Sequence, residues 1–132
     1  MRSALASRVD DTKLVGEWRE LLDRHARTSC ALEHALKEHD LGVSEFEVLD
    51  QLISNPPTTD EARVQQLAEA VHLSQSALSR VVARLEADGL VSRSMCSQDR
   101  RGIAVCVTPA GKERYEAAKP AHRAVLAESL GR

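Results

Sequence analysis

Hydrophobic residues recur at three- and four-residue intervals along most of the chain, which is the spacing of amphipathic helices. A first long helix is predicted from about Asp11 to Asp40, because no proline interrupts this stretch and Gly42 follows it. A second helix is predicted to begin at the capping-box sequence Ser44 to Glu47 and to end before Pro56. The apolar face of the first helix comprises Leu14, Trp18, Leu21, Leu22, Leu32 and Leu36.

In the middle of the chain the pattern changes to two short helices joined by a tight turn. The first presents one apolar face, made of Leu67, Ala68 and Val71. His72 and Leu73 carry the turn, and the hydroxyl of Ser74 is well suited to cap the next helix. That helix is predicted to run to about Asp88, where Gly89 ends it. This order of helix, turn and helix is typical of proteins that place one helix in a groove of DNA.

The second of these helices carries its polar residues on the side away from its apolar face. They are short hydrogen-bonding side chains and arginines, whereas an ordinary solvated face would carry more Glu and Lys. Amides and guanidinium groups form paired hydrogen bonds with base edges, and hydroxyls reach phosphate oxygens. The alternative is an amphipathic helix whose arginines only keep it soluble. The predicted DNA-contacting residues of the cap and the helix are Ser74, Gln75, Ser76, Ser79, Arg80 and Arg84.

A short hairpin is predicted directly after Gly89. Leu90 and Val91 begin an extended run, and a second run follows in which apolar residues alternate, as in a half-buried strand. The alternating residues are Ile103, Val105 and Val107. The polar, turn-prone segment between the runs carries Arg100 and Arg101. Arginine suits the narrow, electronegative minor groove, so the hairpin is predicted to be a wing that contacts DNA beside the helix.

The distribution of charge supports this interpretation, although the net charge of −2 at first argues against a nucleic-acid partner. Residues 1–61 hold 13 acidic and 7 basic residues, whereas residues 62–132 hold 7 acidic and 11 basic residues. The DNA phosphates interact with the local electrostatic field and not with the net charge of the protein. The basic second half of the chain is therefore compatible with binding to double-stranded DNA.

The segments LSQSALSRVVARLEADGLV and DRRGIAVCVTPAG resemble the MarR-type (multiple antibiotic resistance regulator) winged-helix transcription regulators. In that family the wing carries Asp, any residue and Arg, and Leu-Thr closes its second strand. Asp99 and Arg101 match this pattern, and Val107–Thr108 stands at the close. The resemblance implies that Arg101 enters the minor groove and Asp99 orients it; the alternative is a surface ion pair of little energetic value. Two positions depart from the family: His72 replaces the usual turn glycine, and Gln65 replaces the Ser or Thr that commonly begins the first motif helix.

The predicted fold is mainly α with a small β-hairpin wing (α+β), a winged helix-turn-helix in a single domain of residues 1–132. The last helix is predicted from Thr108–Pro109 to Leu130, with Pro120 as a kink or a break. The resemblance implies that residues 11–40 and 109–132 form a homodimer and that residues 44–108 form the DNA-binding lobe. A dimer places two DNA-reading helices about one turn of DNA apart, on a pseudo-palindromic site. The chain ends about one helix earlier than is usual in the family, which leaves the strength of the dimer open.

Members of this family often respond to small ligands bound between the dimer helices and the DNA-binding lobe. The residues that could line such a cleft are Trp18, His25, His39 and His122. The alternative is that a helix histidine among leucines is a core or interface residue.

Three cysteines, Cys30, Cys96 and Cys106, open a redox interpretation, in which the chain is a cysteine-based sensor of the same fold. An odd number without a Cys-x-x-Cys pair, in a chain expected to be cytosolic, argues against structural disulfides. Cys96 and Cys106 fall on opposing wing strands but are not centred on the turn, so we do not expect them to pair. The default alternative for each cysteine is a small buried hydrophobe.

A zinc-responsive regulator is a further alternative, because Cys30 and His34 lie four residues apart on one helix face, next to Glu33. A regulatory site needs two more ligands, and the last helix lacks the His-x-x-x-His pair of zinc-sensing relatives. We therefore predict no metal and no cofactor.

The remaining classes of function are excluded on motifs. The chain has no nucleophile elbow, phosphate loop, metalloprotease pair or dinucleotide-binding turn, so it is predicted not to be an enzyme. It has no signal peptide and no apolar run near eighteen residues, which predicts a cytoplasmic protein without a membrane partner. The predicted function is a sequence-specific DNA-binding regulator, a dimeric repressor released from its operator by a small molecule or another signal. A winged-helix module used for protein contacts remains the alternative of another class.

Overall fold

The computed structural model describes residues 2–54, 60–94 and 104–131, with side chains for residues 11–54, 64–93 and 105–131. These residues form five helices and one antiparallel two-stranded sheet, which confirms the predicted fold class. In chain order the elements are α1 (Arg2–Lys37), α2 (Val43–Ser54), α3 (Asp60–Ala70), α4 (Gln75–Ala87), β1 (Val91–Ser94), β2 (Ala104–Val107) and α5 (Pro109–Leu130). None of the helices in this described part is both long and apolar enough to cross a membrane.

One hydrophobic core joins α2, α3, α4, the hairpin and α5. Its centre is Phe46 on α2, which is fully buried and stacks on Tyr115 of α5 with ring centroids 5.2 Å apart. The last two turns of α1 add Leu32 and Leu36 to the buried set. The other half of α1 does not reach the core, because every residue from 11 to 27 is exposed.

Three helices end in the same way, with one residue in the left-handed region of backbone conformation. These residues are Asp40 (φ 57°), His72 (φ 59°) and Gly89 (φ 77°). After α3, the N–H of Leu73 donates to the carbonyl of Ala68 at 3.0 Å and the N–H of His72 donates to Glu69 at 3.3 Å, the two bonds of a Schellman motif. His72 therefore carries the turn, as the sequence predicted, and it does so with a positive φ.

The helix boundaries correct three details of the sequence prediction. Helix α1 begins at Arg2 and ends at Lys37, since the residues before Asp11 include no Pro or Gly and Asp40 turns the chain beyond the end. Helix α3 begins at Asp60, so Gln65 lies inside it and does not cap it. Acidic residues favour a helix N-terminus, which explains the earlier start.

Two further details concern α2 and α5. The side chain of Glu45, not Glu47, reaches back to cap α2, because its Oε1 accepts from the N–H of Gly42 at 2.8 Å. Pro120 lies inside α5 without ending it, so of the two predicted alternatives, a kink or a break, the break is wrong. Extensive packing of α5 against α1 holds the helix together across the missing backbone donor.

The end of α4 and the start of α5 meet at one junction. The N–H of Thr108 donates to the carbonyl of Leu90 at 3.0 Å, and its hydroxyl donates to the carbonyl of Gly89 at 2.7 Å. The same hydroxyl caps α5 by accepting from the N–H of Gly111 at 3.0 Å, as the Thr-Pro sequence predicted. A β-carbon on Gly111 would lie 2.0 Å from the Leu90 carbonyl oxygen, so only glycine permits this approach.

Gly111→Ala is expected to lower the free energy of unfolding by roughly 1–3 kcal/mol or more, because backbone must move to admit the methyl group. Urea denaturation measures this change. Gly16→Ala is the matched control: its added carbon meets nothing within 4 Å, and alanine in a helix should raise stability by about 0.5–1 kcal/mol. Equal stability of Gly111→Ala and the unmodified protein would contradict the close approach at the junction.

His72→Gly is expected to raise the free energy of unfolding by about 0.5–1 kcal/mol, because it removes a side chain from a left-handed backbone position. Gly89→Ala should have the opposite sign, a loss of about 1 kcal/mol, since its φ is 77° although its added carbon would meet nothing within 4 Å. Chemical denaturation of both variants checks the pair, and the same sign in both would show that backbone strain is not the cause.

Candidate nucleic-acid interface

The polar side of α4 faces solvent, as the sequence pattern predicted. Leu78, Val82 and Leu85 are buried on the inner side, and the six predicted DNA-contacting residues from Ser74 to Arg84 are all exposed. Ser74 caps the helix, since its hydroxyl accepts from the N–H of Ala77 at 3.1 Å. The first turn of α4 is therefore capped by Ser74, and its polar side chains remain exposed to solvent.

Rotation along the helix separates these residues into an outer face and two flanks. At about 100° per residue, Ser76, Arg80 and Ala83 point directly away from the core. Gln75 and Ser79 lie on the flank toward the hairpin, where both line an apolar cleft of 230 Å³. The outer face is the part of α4 best placed to enter a groove, and Ala83 is a member that sequence analysis did not select.

Arg84 lies on the other flank of α4 and faces α2. Its Nε is 3.6 Å from the Oε2 of Glu45, while its side chain remains 74% exposed. Glu45 is buried, and its other carboxylate oxygen accepts the hydrogen bond that caps α2. The pair joins the last turn of α4 to the start of α2, so Arg84 has a protein partner that the sequence pattern did not reveal.

The predicted wing tip, with Asp99, Arg100, Arg101 and Cys96, lies outside the described residues. Its base is described: β1 and β2 pair in register, with Val91 opposite Val107 and Arg93 opposite Val105. The hairpin predicted between α4 and α5 is therefore present at its base, next to the hairpin-side flank of α4.

Arg93 is a residue of this site that sequence analysis missed. It lies two positions after the buried Val91, so its side chain stands on the inner face of the hairpin. Its Nη2 donates to the carbonyl of Ser79 at 3.4 Å, and its Nε lies 3.4 Å from the Oε1 of Glu86. The alternation of residues along the strand could have placed Arg93 on the inner face. It could not have predicted that Arg93 contacts Ser79 and Glu86 on α4.

A larger open cleft of 740 Å³ lies beside α4, between α1, α2 and α5. Most of its lining is charged: Glu33, Lys37, Asp40, Glu45, Arg84, Asp88 and Arg114, with Leu41 and Gly42. None of the four residues predicted to line a ligand cleft is among those that line this cleft or the apolar one. Trp18 and His25 are exposed on the outer half of α1, and His39 is half-buried after its end.

His122 is in the core, the alternative that sequence analysis left open. It is buried, stacks on Phe46 with ring centroids 4.2 Å apart, and its Nε2 lies 3.1 Å from the Oε2 of Glu47. Its Nδ1 lies 2.7 Å from the Nη1 of Arg123, and a guanidinium group can only donate. Nδ1 therefore accepts, and Nε2 carries the proton that it donates to Glu47.

Asp50 completes this polar contact between α2 and α5. Its Oδ1 accepts from the Tyr115 hydroxyl and from the Nη2 of Arg123, the latter at 3.0 Å. Burial raises the pKa of Tyr115, and the bond to Asp50 raises it further. Burial lowers the pKa of Arg123, but the bond and the attraction from Asp50 outweigh it and hold the pKa above its usual value.

The described cysteines differ from the default of small buried hydrophobes. Cys30 is free and exposed on α1. Cys106 is half-buried in β2 and disulfide-bonded, so the expectation of no disulfide is wrong for this residue. That expectation rested on compartment, on the odd number of cysteines and on a turn position read from sequence, and none of these fixes the distance between two sulfur atoms. Within the described part of the chain, no three His, Cys, Asp or Glu side chains group to hold a metal ion.

Comparisons with known proteins agree with this geometry. A family model described as MarR family matches residues 39–102. The solved structure of AbsC, a MarR family transcriptional regulator from Streptomyces coelicolor, is 30% identical with a TM-score of 0.73, and the match covers 86% of this chain and 76% of that chain.

Two further solved structures share the fold. A second MarR family regulator from Streptomyces coelicolor, in complex with DNA, is 27% identical with a TM-score of 0.74 over 89% of this chain and 72% of that chain. CouR from Rhodococcus jostii, bound to p-coumaroyl-CoA, is 25% identical with a TM-score of 0.73 over 83% of this chain and 76% of that chain. The chain belongs to the MarR family of transcriptional regulators.

Proposed function

We propose that this protein is a sequence-specific DNA-binding repressor that acts as a homodimer on a pseudo-palindromic operator. The exposed outer face of α4 is the main support for this function, and α4 is proposed to be the recognition helix. Ser76 and Arg80 point away from the core there. They lie in the N-terminal half of α4, the part of the recognition helix that contacts base edges in helix-turn-helix proteins. A relative of the same family in complex with DNA supports this use of the fold.

Each polar residue of the site has a role by its position. Arg80 reads base edges from the outer face and Gln75 from the hairpin-side flank of the first turn, since amide and guanidinium groups make paired hydrogen bonds with purines. Arg84 contacts the DNA backbone from the flank of α4 that also contacts Glu45. Arg101, oriented by Asp99, enters the minor groove. The serines contact phosphate oxygens from the cap and first turns of the helix: Ser74, Ser76 and Ser79.

The exposed half of α1 supports a dimer. Leu14, Trp18 and Leu21 recur along it at helical spacing and are 55%, 58% and 60% exposed. A continuous apolar stripe of this kind on an isolated subunit marks an interface. A second copy of the chain is the occupant we propose, because a two-fold pair of α1 helices sets the two recognition helices on one side of the DNA.

Repression is proposed to be passive: the bound dimer hinders the polymerase and leaves when a signal alters the spacing of the two recognition helices. The charged cleft between α1, α2, α4 and α5 touches both the dimer helices and the recognition helix, so it is a suitable place for an effector. A relative bound to p-coumaroyl-CoA supports a small-molecule signal in this family. Lower expression of neighbouring genes after deletion of this gene would contradict a repressor.

Selection of duplexes from a random pool with the purified protein tests the proposed function. We expect an enriched pseudo-palindrome with half-sites about one helical turn apart. A pool without any enriched palindrome would defeat the proposal. The selected duplex is then the probe for the variants below.

Arg80→Ala is expected to relax the preference at one base position in each half-site and to cost roughly 1–3 kcal/mol against the preferred base. Arg101→Ala should instead weaken binding to all sequences and reduce the salt slope by about one. Fluorescence anisotropy on the selected duplex and its base variants measures both effects. Gln66→Ala, which changes an exposed amide on α3, is the control and should leave base preference unchanged. An unchanged base preference in Arg80→Ala would remove Arg80 from the readout.

Leu21→Glu is expected to convert the dimer to a monomer at micromolar concentration, because it places a charge in the apolar stripe. The residue is 60% exposed in the subunit, so the subunit itself should remain folded. Sedimentation measures the mass, with the monomer at 14.5 kDa. Arg19→Glu adds the same side chain on the opposite side of α1 and should leave the dimer intact. An unmodified protein that sediments only as the monomer would contradict the proposed dimer.

A further inference from the structure

Arg93 is a charged residue on the side of the hairpin that faces the protein. Its neighbours on that face are Val91 and Val105, which are 2% and 8% exposed. Its side chain helps to line the apolar cleft between α3, α4 and the hairpin, next to Leu78 and Val82. An arginine can cover apolar surface with its methylene stem while its guanidinium group makes polar contacts elsewhere.

The guanidinium group contacts the recognition helix at two points. Ser79 offers a backbone carbonyl at 3.4 Å, and Glu86 offers a carboxylate oxygen at 3.4 Å. These residues are seven apart, which is about two helical turns. One group reaches both because helix carbonyls point toward the C-terminus while helix side chains lean back toward the N-terminus.

We infer that Arg93 is a positioning residue, which holds the wing at a set angle to the recognition helix so that both reach their grooves together. The inference rests on the proposed DNA-binding function. A two-stranded hairpin is only marginally stable by itself, so its direction depends on how its base is attached. Arg93 makes polar contacts from that base to the helix that reads the bases, across the mouth of the apolar cleft.

The contribution of these contacts to folding is small. The side chains of Arg93 and Glu86 are 39% and 44% exposed, and ion pairs at such sites are weakened by solvent. Loss of Arg93 therefore acts on DNA binding through geometry, with little effect on the stability of the lobe. A direct contact of Arg93 with a phosphate is the competing role, and it predicts a different dependence on salt.

The test uses the full-length protein and the duplex selected from the random pool, with affinity measured over a series of salt concentrations. Arg93→Ala is expected to weaken DNA binding about tenfold. This corresponds to the interaction energies typical of side chains in contact within a protein, here Arg93 with Ser79 and Glu86. Its salt slope and base preference should match those of the unmodified protein. Arg93→Lys keeps the charge but cannot reach both partners, so its affinity for DNA should lie between those of Arg93→Ala and the unmodified protein.

Glu86→Ala removes the carboxylate acceptor while leaving Arg93 in place, and it should weaken binding by about threefold. Combined with Arg93→Ala, it should add nothing further, because both changes break the same contact. Urea denaturation of each variant checks that the lobe stays folded.

Three results would overturn the role of Arg93. They are an unchanged affinity in Arg93→Ala, a salt slope reduced by about 0.9 as a phosphate contact requires, and independent effects of the two changes in the double variant. An unmodified protein that binds no duplex would overturn the proposed function together with this role. A protein that binds, with Arg93→Ala binding equally well, overturns the role alone.

Discussion

The close approach of Gly111 to the carbonyl of Leu90 is the contact on which the geometry of this molecule depends. The same carbonyl accepts the N–H of Thr108, and the Thr108 hydroxyl reaches Gly89. The end of α4, both strands of the hairpin and the start of α5 therefore meet within a few residues. A shift of α5 cannot occur there without moving the end of α4, since the atoms in contact belong to the backbone.

A second attachment joins α5 to the lobe; it begins about one helical turn further along and extends to about three turns. Asp50 and Glu47 of α2 bind Tyr115, His122 and Arg123 of α5, around the ring of Phe46. Two attachments on one helix prevent it from pivoting on either. Residues 11–27 of α1 are all exposed, and no hydrogen bond or ion pair ties their described side chains to the lobe. In the proposed dimer, α5 and the lobe thus move together, and a signal at the dimer helices changes the distance between the two recognition helices.

Much of the fold follows from local rules that a sequence displays. Helical spacing locates the motif helices, Ser74 marks a cap, and Gly89 marks an end, because each depends on residues within a few positions of itself. The left-handed turn at His72 also follows from such a rule, since histidine tolerates positive φ better than most residues. The acidic start of α3 at Asp60 is a local signal of the same kind, but the apolar spacing of Leu67, Ala68 and Val71 by itself places the helix too late in the chain.

The candidate site shows where these rules stop. Periodicity places Arg84 and Arg93 on the faces of their elements, but says nothing of Glu45, Ser79 or Glu86 as their partners. His122 is equally ambiguous from sequence, because a histidine on a helix suits a ligand cleft and a core alike, and only the ring of Phe46 and the carboxylate of Glu47 decide. Contacts between residues distant in sequence depend on how helices are arranged in space. Spacing along the chain does not record that arrangement.

The proposed complex has two recognition helices, held at a set distance by the dimer, that read two half-sites on one side of the DNA. Its most direct test compares the selected pseudo-palindrome with a duplex in which about five base pairs, half a helical turn, are inserted between the half-sites. We expect the affinity at constant salt to fall to that of a duplex with one half-site, because the second site then faces away from its helix. Equal affinity for the two spacings would contradict it.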